Sequence, residues 1–274
     1  MEQKVIERFG KKIFYRTEGT GQPVMLLHGF GEDGHVWDNQ VAALKKNYYF
    51  IIPDLPGSGQ SDLTEDVSME GMAENVMEIL QLEFPPSINY PPQKIILVGH
   101  SMGGYVALAF AHKYQQYLSG LCLFHSTAYP DSEEKKTIRR KGIEFIRQHG
   151  AYAFLKTSTP NLFSATSKEK MSDFINSFIL GLSNFSADAL VNYYEAMMQR
   201  PDRTWVLKQA TYPVCFMAGE ADTAVPLQHT LEQCHLPALS YIHVLNKSGH
   251  MGMLEESAKS TELLDHFFQQ TAII

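Results

Sequence analysis

The sequence predicts an α/β fold, a mostly parallel sheet with helices on both faces and a block of helices inserted into it. Three observations predict this. Short apolar runs rich in β-branched residues alternate with helical periodicity along most of the 274 residues, the pattern of strands joined by crossover helices. Residues 24–27, 95–98 and 118–124 are apolar almost without interruption, as strands covered on both faces are. Residues 128–208 break the alternation with helical stripes and no good strand.

The elements follow in order. Residues 5–9 and 13–16 read as a hairpin turning near Gly10 and Lys11. Residues 24–27 are a strand and 36–44 a helix. Strand 48–52 is stopped by Pro53-Asp54-Leu55-Pro56-Gly57. A helix covers 69–82, and residues 84–93 are a loop rich in proline. Strand 95–98 runs into Gly99-His100-Ser101-Met102-Gly103, and a helical segment, 105–111, follows at once. Strand 118–124 precedes the insertion. Strand 214–218, a helix after Pro226, strand 241–245 and a helix over 251–268 close the chain. The core domain is thus 1–127 with 209–274, and 128–208 form a helical cap.

Composition narrows the function classes. Hydrophobic residues make up 44% and charged residues 19%, enough for a globular core. The net charge of −7 argues against a nucleic-acid partner, which favours a basic surface. The 3 cysteines, Cys122, Cys215 and Cys234, are odd in number and lack metal spacing, so they read as reduced thiols of a cytoplasmic protein. No metal or cofactor is expected. The N-terminus carries no apolar signal segment, and no apolar run reaches the 18 residues that would suggest a membrane span. Oligomeric state is left open.

The chemistry concentrates at Ser101. A serine between a strand and a helix on so tight a turn is held in a strained backbone region above the sheet. Gly99 and Gly103 remove Cβ atoms that would collide across the turn. Met102 opens the helix, so its N–H can face an anion beside the serine. A nucleophilic serine needs a base and a group to orient that base. His250, in Ser248-Gly249-His250-Met251-Gly252, follows strand 241–245. Asp222, in Ala218-Gly219-Glu220-Ala221-Asp222, follows strand 214–218. Both lie at carboxyl ends of strands, where open parallel sheets place their sites. Glu220 is the rival acid; Asp222 is favoured because it lies further along the loop and precedes the helix start at Val225-Pro226. A second oxyanion donor is the N–H of Phe30, in His28-Gly29-Phe30-Gly31, beside that of Met102. His28 itself reads as a structural residue holding that loop.

His28-Gly29-Phe30-Gly31, Asp54-Leu55-Pro56-Gly57-Ser58-Gly59-Gln60-Ser61, Gly99-His100-Ser101-Met102-Gly103-Gly104, Gly219-Glu220-Ala221-Asp222 and Gly249-His250 together resemble the α/β-hydrolase superfamily. The resemblance implies an eight-stranded sheet, a helical cap and carboxylesterase-like chemistry without a cofactor. Members with epoxide hydrolase or haloalkane dehalogenase activity carry an aspartate at the nucleophile position, so Ser101 counts against both. The expected partner is a small-molecule acyl substrate, cleaved at a carboxylic ester. A thioester, a lactone or a carbon–carbon bond next to a carbonyl is open to the same parts.

Two readings of other classes compete. Gly29-Phe30-Gly31-Glu32-Asp33-Gly34 matches a dinucleotide-binding pattern, with Asp54 at 54 − 34 = 20 residues beyond it. Glu32 and Asp33 would put negative charge beside the pyrophosphate, and the pattern leaves Ser101, Asp222 and His250 unexplained. A ligand sensor on a hydrolase scaffold would show a single burst where an enzyme shows steady turnover.

The insertion carries two apolar stripes. One is Met171, Phe174, Ile175, Phe178, Ile179 and Leu182; the other is Leu190, Tyr193, Tyr194, Met197 and Met198. Most of these pack insert against core. Phe174, Phe178, Tyr193, Tyr194, Met197 and Met198 are the candidates for lining a pocket, one that would favour uncharged acyl groups. The basic run Lys135, Lys136, Arg139, Arg140, Lys141 reads as a solvated helix face.

Overall fold

The computed structural model describes residues 1–88 and 90–271. Its eight strands are β1 (Glu2–Arg8), β2 (Lys11–Gly19), β3 (Gln22–Leu27), β4 (Tyr48–Pro53), β5 (Ile95–His100), β6 (Leu118–Phe124), β7 (Val214–Gly219) and β8 (Ser240–Leu245). They form one sheet in the order β1-β2-β4-β3-β5-β6-β7-β8. β2 is antiparallel to β1 and β4, and the strands from β4 to β8 are parallel neighbours. The hairpin turns through Phe9 and Gly10, both at positive φ (50° and 73°), as a two-residue hairpin loop demands.

Alternation along β3 divides the core. Met25 and Leu27 face α2 (Met69–Glu83) and α3 (Met102–Tyr114), where Met72, Val76, Val106 and Phe110 are buried with them. Val24 and Leu26 face the opposite layer, with Val41 of α1 (Asp38–Leu44) and Phe267 and Phe268 of α12 (Ser257–Thr271). β5 is buried along its whole length, so its end can carry a turn only through groups that satisfy one another.

Two helices differ from expectation. The helix over 36–44 begins as a 3₁₀ turn, Gly34–Trp37, whose N-cap Asp33 accepts the His35 N–H at 2.8 Å. The helix after Pro226 is α10 (Leu227–Gln233), and the helix over 251–268 is broken into α11 (Gly252–Glu255) and α12. The break at Glu256 (φ −123°, ψ 51°) lets two adjacent carboxylates turn back onto the loop before them. Glu256 accepts from the Lys247 N–H and the Ser248 hydroxyl, both at 2.8 Å.

Between β6 and β7 the described residues form α4 (Glu133–His149), α5 (Ala151–Ser158), α6 (Ala165–Lys170), α7 (Ser172–Gly181), α8 (Ala187–Gln199) and α9 (Thr204–Lys208), with no strand. Arg203 N–H bonds to Ala128 O at 2.9 Å, and Arg200 reaches Asp131 and the Tyr129 carbonyl at 2.8 and 3.0 Å. Entry and exit of the insertion are therefore clasped together. No helix among the described residues is long and apolar enough to cross a membrane. Cys122, Cys215 and Cys234 are all free.

Candidate active site

Ser101 sits between β5 and α3 at φ 50°, ψ −114°, a region that L residues rarely occupy. Its surroundings hold it there. Ser101 N–H donates to Phe124 O at 2.9 Å, and its carbonyl accepts from Gly104 N–H and the Ser126 hydroxyl at 3.0 and 2.8 Å. A Cβ on Gly99 would lie 2.4 Å from Gly103 O, and one on Gly103 would lie 2.5 Å from His28 O. Both contacts are with backbone, so neither position has room for alanine.

The loops after β7 and β8 bring Asp222 and His250 together. His250 Nδ1 lies 2.7 Å from Asp222 Oδ2, while Asp222 Oδ1 accepts the N–H groups of Ala224 and Val225 at 2.8 and 2.9 Å. Burial alone would raise this carboxyl, but the imidazoles of His250 and His125 hold it well below the usual carboxylate range. Glu220, the first residue after β7 on the same loop as Asp222, is exposed. The His250 backbone is fixed on both sides: its N–H donates to Leu162 O at 2.6 Å, and its carbonyl accepts from His100 Nε2 at 2.9 Å. Glu255 braces the loop from below, taking Gly249 N–H at 2.8 Å and Met251 N–H at 3.1 Å. Its other oxygen takes Ser164 N–H of the insertion at 2.8 Å.

His125, just past β6, is a residue that motif reasoning missed. Its Nδ1 lies 3.0 Å from the same Asp222 oxygen. It is buried at positive φ, and its Nε2 has no partner among the described residues. The Gly219 N–H points at the same nitrogen at 3.2 Å, so Nδ1 faces one acceptor, the Asp222 carboxylate, and one donor. Burial, the largest effect, together with its histidine neighbours outweighs the pull of Asp222 and keeps this imidazole toward the neutral form. The signal in the sequence was a histidine directly after an apolar run, at the carboxyl end of a parallel strand.

A second missed pair lies beneath the turn after β3. His100 Nδ1 faces Glu32 Oε2 at 3.0 Å and its Nε2 faces a carbonyl, so both nitrogens donate. Burial would discharge this imidazole, but Glu32 holds its pKa above the ordinary value, while His100 holds Glu32 below its own. The same Glu32 oxygen accepts Gly29 N–H at 2.8 Å, fixing the turn that carries Phe30. His28 accepts Leu55 N–H at 2.9 Å through Nε2 and meets Gly29 O at 2.8 Å through Nδ1, so both of its nitrogens are spent on backbone. The N–H groups of Phe30 and Met102 have no partner among the described residues. The dinucleotide pattern does not fit: Glu32 fills its own turn, and Asp54 is engaged by Gly34 and Gln60 N–H at 2.9 and 3.0 Å.

His125, Asp222 and His250 also form a set that could suit a metal, their ligand atoms all within 4.8 Å of one another. The 2.7 Å between His250 Nδ1 and Asp222 Oδ2 is a hydrogen-bond length. Two ligands on a tetrahedral zinc, each at ~2.0–2.1 Å, stand further apart than that.

Ser101 and His250 open onto a cavity of about 520 Å³, with Phe30 on the core wall and Ile138, Arg139, Leu162, Tyr194 and Met197 on the inserted wall. Of the six residues expected to line it, Tyr194 and Met197 do. Tyr194 stacks on Phe30, ring centroids 4.3 Å apart. Four do not. Tyr193 points into the core, its hydroxyl on Ser58 Oγ at 2.8 Å and Pro56 O at 2.5 Å. Met198 lies outside the lining. Phe174 and Phe178 stack on each other, with Phe178 edge-on to Phe163. α7 buries Ile175 and Ile179 with Met251 and Met253 on the far layer, which leaves Phe174 43% exposed. The basic run also divides: Lys135 and Arg139 line the cavity, whereas Lys136, Arg140 and Lys141 do not.

The pattern of the alpha/beta hydrolase family matches residues 24–261, and the chain belongs to that family. Among solved structures, an esterase from Thermogutta terrifontis is 28% identical, with a TM-score of 0.88 and 99% of both chains covered. An esterase from Exiguobacterium antarcticum is 25% identical, with a TM-score of 0.85, covering 97% of this chain and 98% of that one. The pimeloyl-[acyl-carrier protein] methyl ester esterase of Vibrio cholerae is 24% identical over 279 residues, 93% of this chain and 97% of the relative.

Proposed function

We propose that this protein is a serine hydrolase that cleaves a carboxylic ester through an acyl-enzyme. One observation carries the reading: a positive-φ serine at a strand-to-helix turn opens onto the same cavity as a histidine whose Nδ1 is held 2.7 Å from a buried carboxylate. In this reading Ser101 Oγ attacks the ester carbonyl while His250 Nε2 takes its proton. Asp222 fixes the His250 tautomer and stabilises the imidazolium. The N–H groups of Phe30 and Met102 receive the oxyanion. Collapse breaks the bond to the alcohol oxygen, which leaves with the proton from His250. Water, deprotonated by His250, then cleaves the acyl-serine, releasing the acid and restoring Ser101. The inserted helices serve as a lid that keeps bulk water from the acyl group. Free thiols favour a reducing, cytoplasmic setting.

The test is steady-state hydrolysis of p-nitrophenyl esters of graded acyl length by wild type and Ser101→Ala. Multiple turnovers, lost by on the order of 10³–10⁶-fold in the variant, are expected. A single burst would indicate a ligand sensor, and an active Ser101→Ala protein would reject the nucleophile.

A further inference from the structure

Helix α4 carries five basic residues within seven positions, and their surroundings differ. Lys136 pairs with Glu133 at 2.8 Å, and Arg140 lies near the same carboxylate. Arg139 pairs with Asp131, but so does Arg200, so two guanidiniums share one carboxylate. Lys135 has no carboxylate within ion-pair distance among the described residues. Its ammonium donates to Ala224 O at 2.7 Å, which uses one of three protons.

That bond places Lys135 in the site. The N–H of the same Ala224 donates to Asp222 Oδ1 at 2.8 Å, so Lys135 is fastened to the loop that carries the acid. Lys135, Ser132 and His229 also line an adjoining cavity of about 380 Å³, so Lys135 stands where the two spaces meet. Two carboxylates reach the wall around Ser101. Glu32 is buried and engaged by His100 and Gly29, and Glu134 is exposed on α4. The charges of Lys135 and Arg139 formally balance those of Glu32 and Glu134, but Arg139 is spent on Asp131 and Glu32 on His100. Lys135 is therefore the wall cation left without a carboxylate partner among the described residues, in a half-buried setting where charge acts more strongly than in water. Tyr105 feels it: burial would raise its phenol, yet Arg200, Lys135 and Arg139 pull it below the ordinary value. Burial and Lys135 hold His229 toward the neutral form, so it can add an N–H donor without adding charge.

We propose that Lys135 anchors an anion subsite of this cavity, and that the esters cleaved here carry a second, free carboxylate that pairs with it. This rests on the serine-hydrolase reading and names its substrate class. It reverses the expectation, drawn from the apolar stripes, that a charged acyl group is a poor substrate. A single ammonium with neutral donors beside it suits one carboxylate, and the cavity holds a small molecule.

The experiment compares kcat/KM for monomethyl glutarate and monomethyl adipate with methyl esters of uncharged acids of equal length, by proton release. In wild type the anionic ester is the better substrate of each pair, and 0.5 M salt narrows the ratio. Lys135→Met lowers the ratio by about tenfold, the scale of one charge-assisted hydrogen bond. Lys135→Arg retains most of it, and Lys136→Met, outside the cavity lining, leaves it unchanged. A purely structural role for Lys135 would lower both esters equally and leave the ratio alone, which would overturn the proposal. So would a Lys135-dependent preference seen only with a phosphate-bearing thioester. If neither ester is cleaved by wild type, the hydrolase reading itself fails; if neutral esters are cleaved without an anionic preference, only the subsite fails.

Discussion

The two walls of the Ser101 cavity are built differently. The core wall consists of tight turns at the ends of β3, β5, β7 and β8, closed by contacts to backbone: Gly99 against Gly103, Gly103 against His28, and the His250 backbone between the Leu162 carbonyl of the insertion and the His100 side chain. The inserted wall consists of side chains on helix faces, Ile138, Arg139, Tyr194 and Met197. Turns of the first kind are dictated by a few consecutive residues. Faces of the second kind are set by how one helix docks on another. In the proposed serine-hydrolase reading, chemistry falls to the wall of tight turns, and substrate choice to the wall whose residues can change without disturbing a turn.

The comparison predicts the largest effects on the core wall. Replacing Asp222 by Asn should lower kcat by about 10⁴-fold, because the His250 tautomer is lost. Glu220→Gln, at an exposed neighbour, should stay close to wild type. Equal loss in both variants would mean that the loop as a whole, rather than one hydrogen-bonded oxygen, carries the effect.

The next effect is on stability. Breaking the buried Glu32–His100 pair with Glu32→Gln should cost about 3 kcal/mol. Glu32 lies below its unfolded pKa, so its contribution is present above that value and is lost as pH falls through the lower folded one. His100 lies above its unfolded pKa, so its contribution is full below that value and is lost as pH rises through the higher folded one. Melting temperature measured across pH should therefore fall on both the acid and the alkaline side in wild type. Glu32→Gln should flatten both slopes. Identical profiles would show that the pair does not set the pH dependence.

The inserted wall gives the smallest and most specific effect. Met197→Ala should shift the preferred acyl length upward by a few carbons, since each buried methylene contributes about 0.8 kcal/mol until the pocket is full. Phe174→Ser, half exposed on α7, should leave the ester series within about twofold. A chain-length profile that answers to Phe174 but not to Met197 would show that α7, and not α8, covers the acyl chain.

The same division explains what the sequence reveals. The alternation of apolar runs gives the sheet, and each of Ser101, Asp222 and His250 lies on the turn or loop that follows such a run. Their local context needs no tertiary information. Phe174 and Phe178 share the helical spacing of Tyr194 and Met197, yet one pair of stacked rings lies beside Phe163 and the other residues line the cavity. Periodicity gives an apolar face but not what that face meets. Lys135 and Arg139 differ from Lys136 and Arg140 for the same reason. His125 and the Glu32–His100 pair depend on contacts between residues 97 and 68 positions apart, which no local pattern contains. The break at Glu256 arises from carboxylates folding back to the 247–251 loop, a local feature that helix periodicity alone overrides.

The central claim is that Ser101 is the nucleophile activated by the His250–Asp222 pair. A fluorophosphonate probe followed by intact-mass measurement and peptide mapping tests it directly. One adduct per chain is expected, on the peptide carrying Ser101, formed far more slowly in His250→Ala and not at all in Ser101→Ala. An adduct on another serine, or ester turnover that persists while Ser101 stays unlabelled, would contradict it.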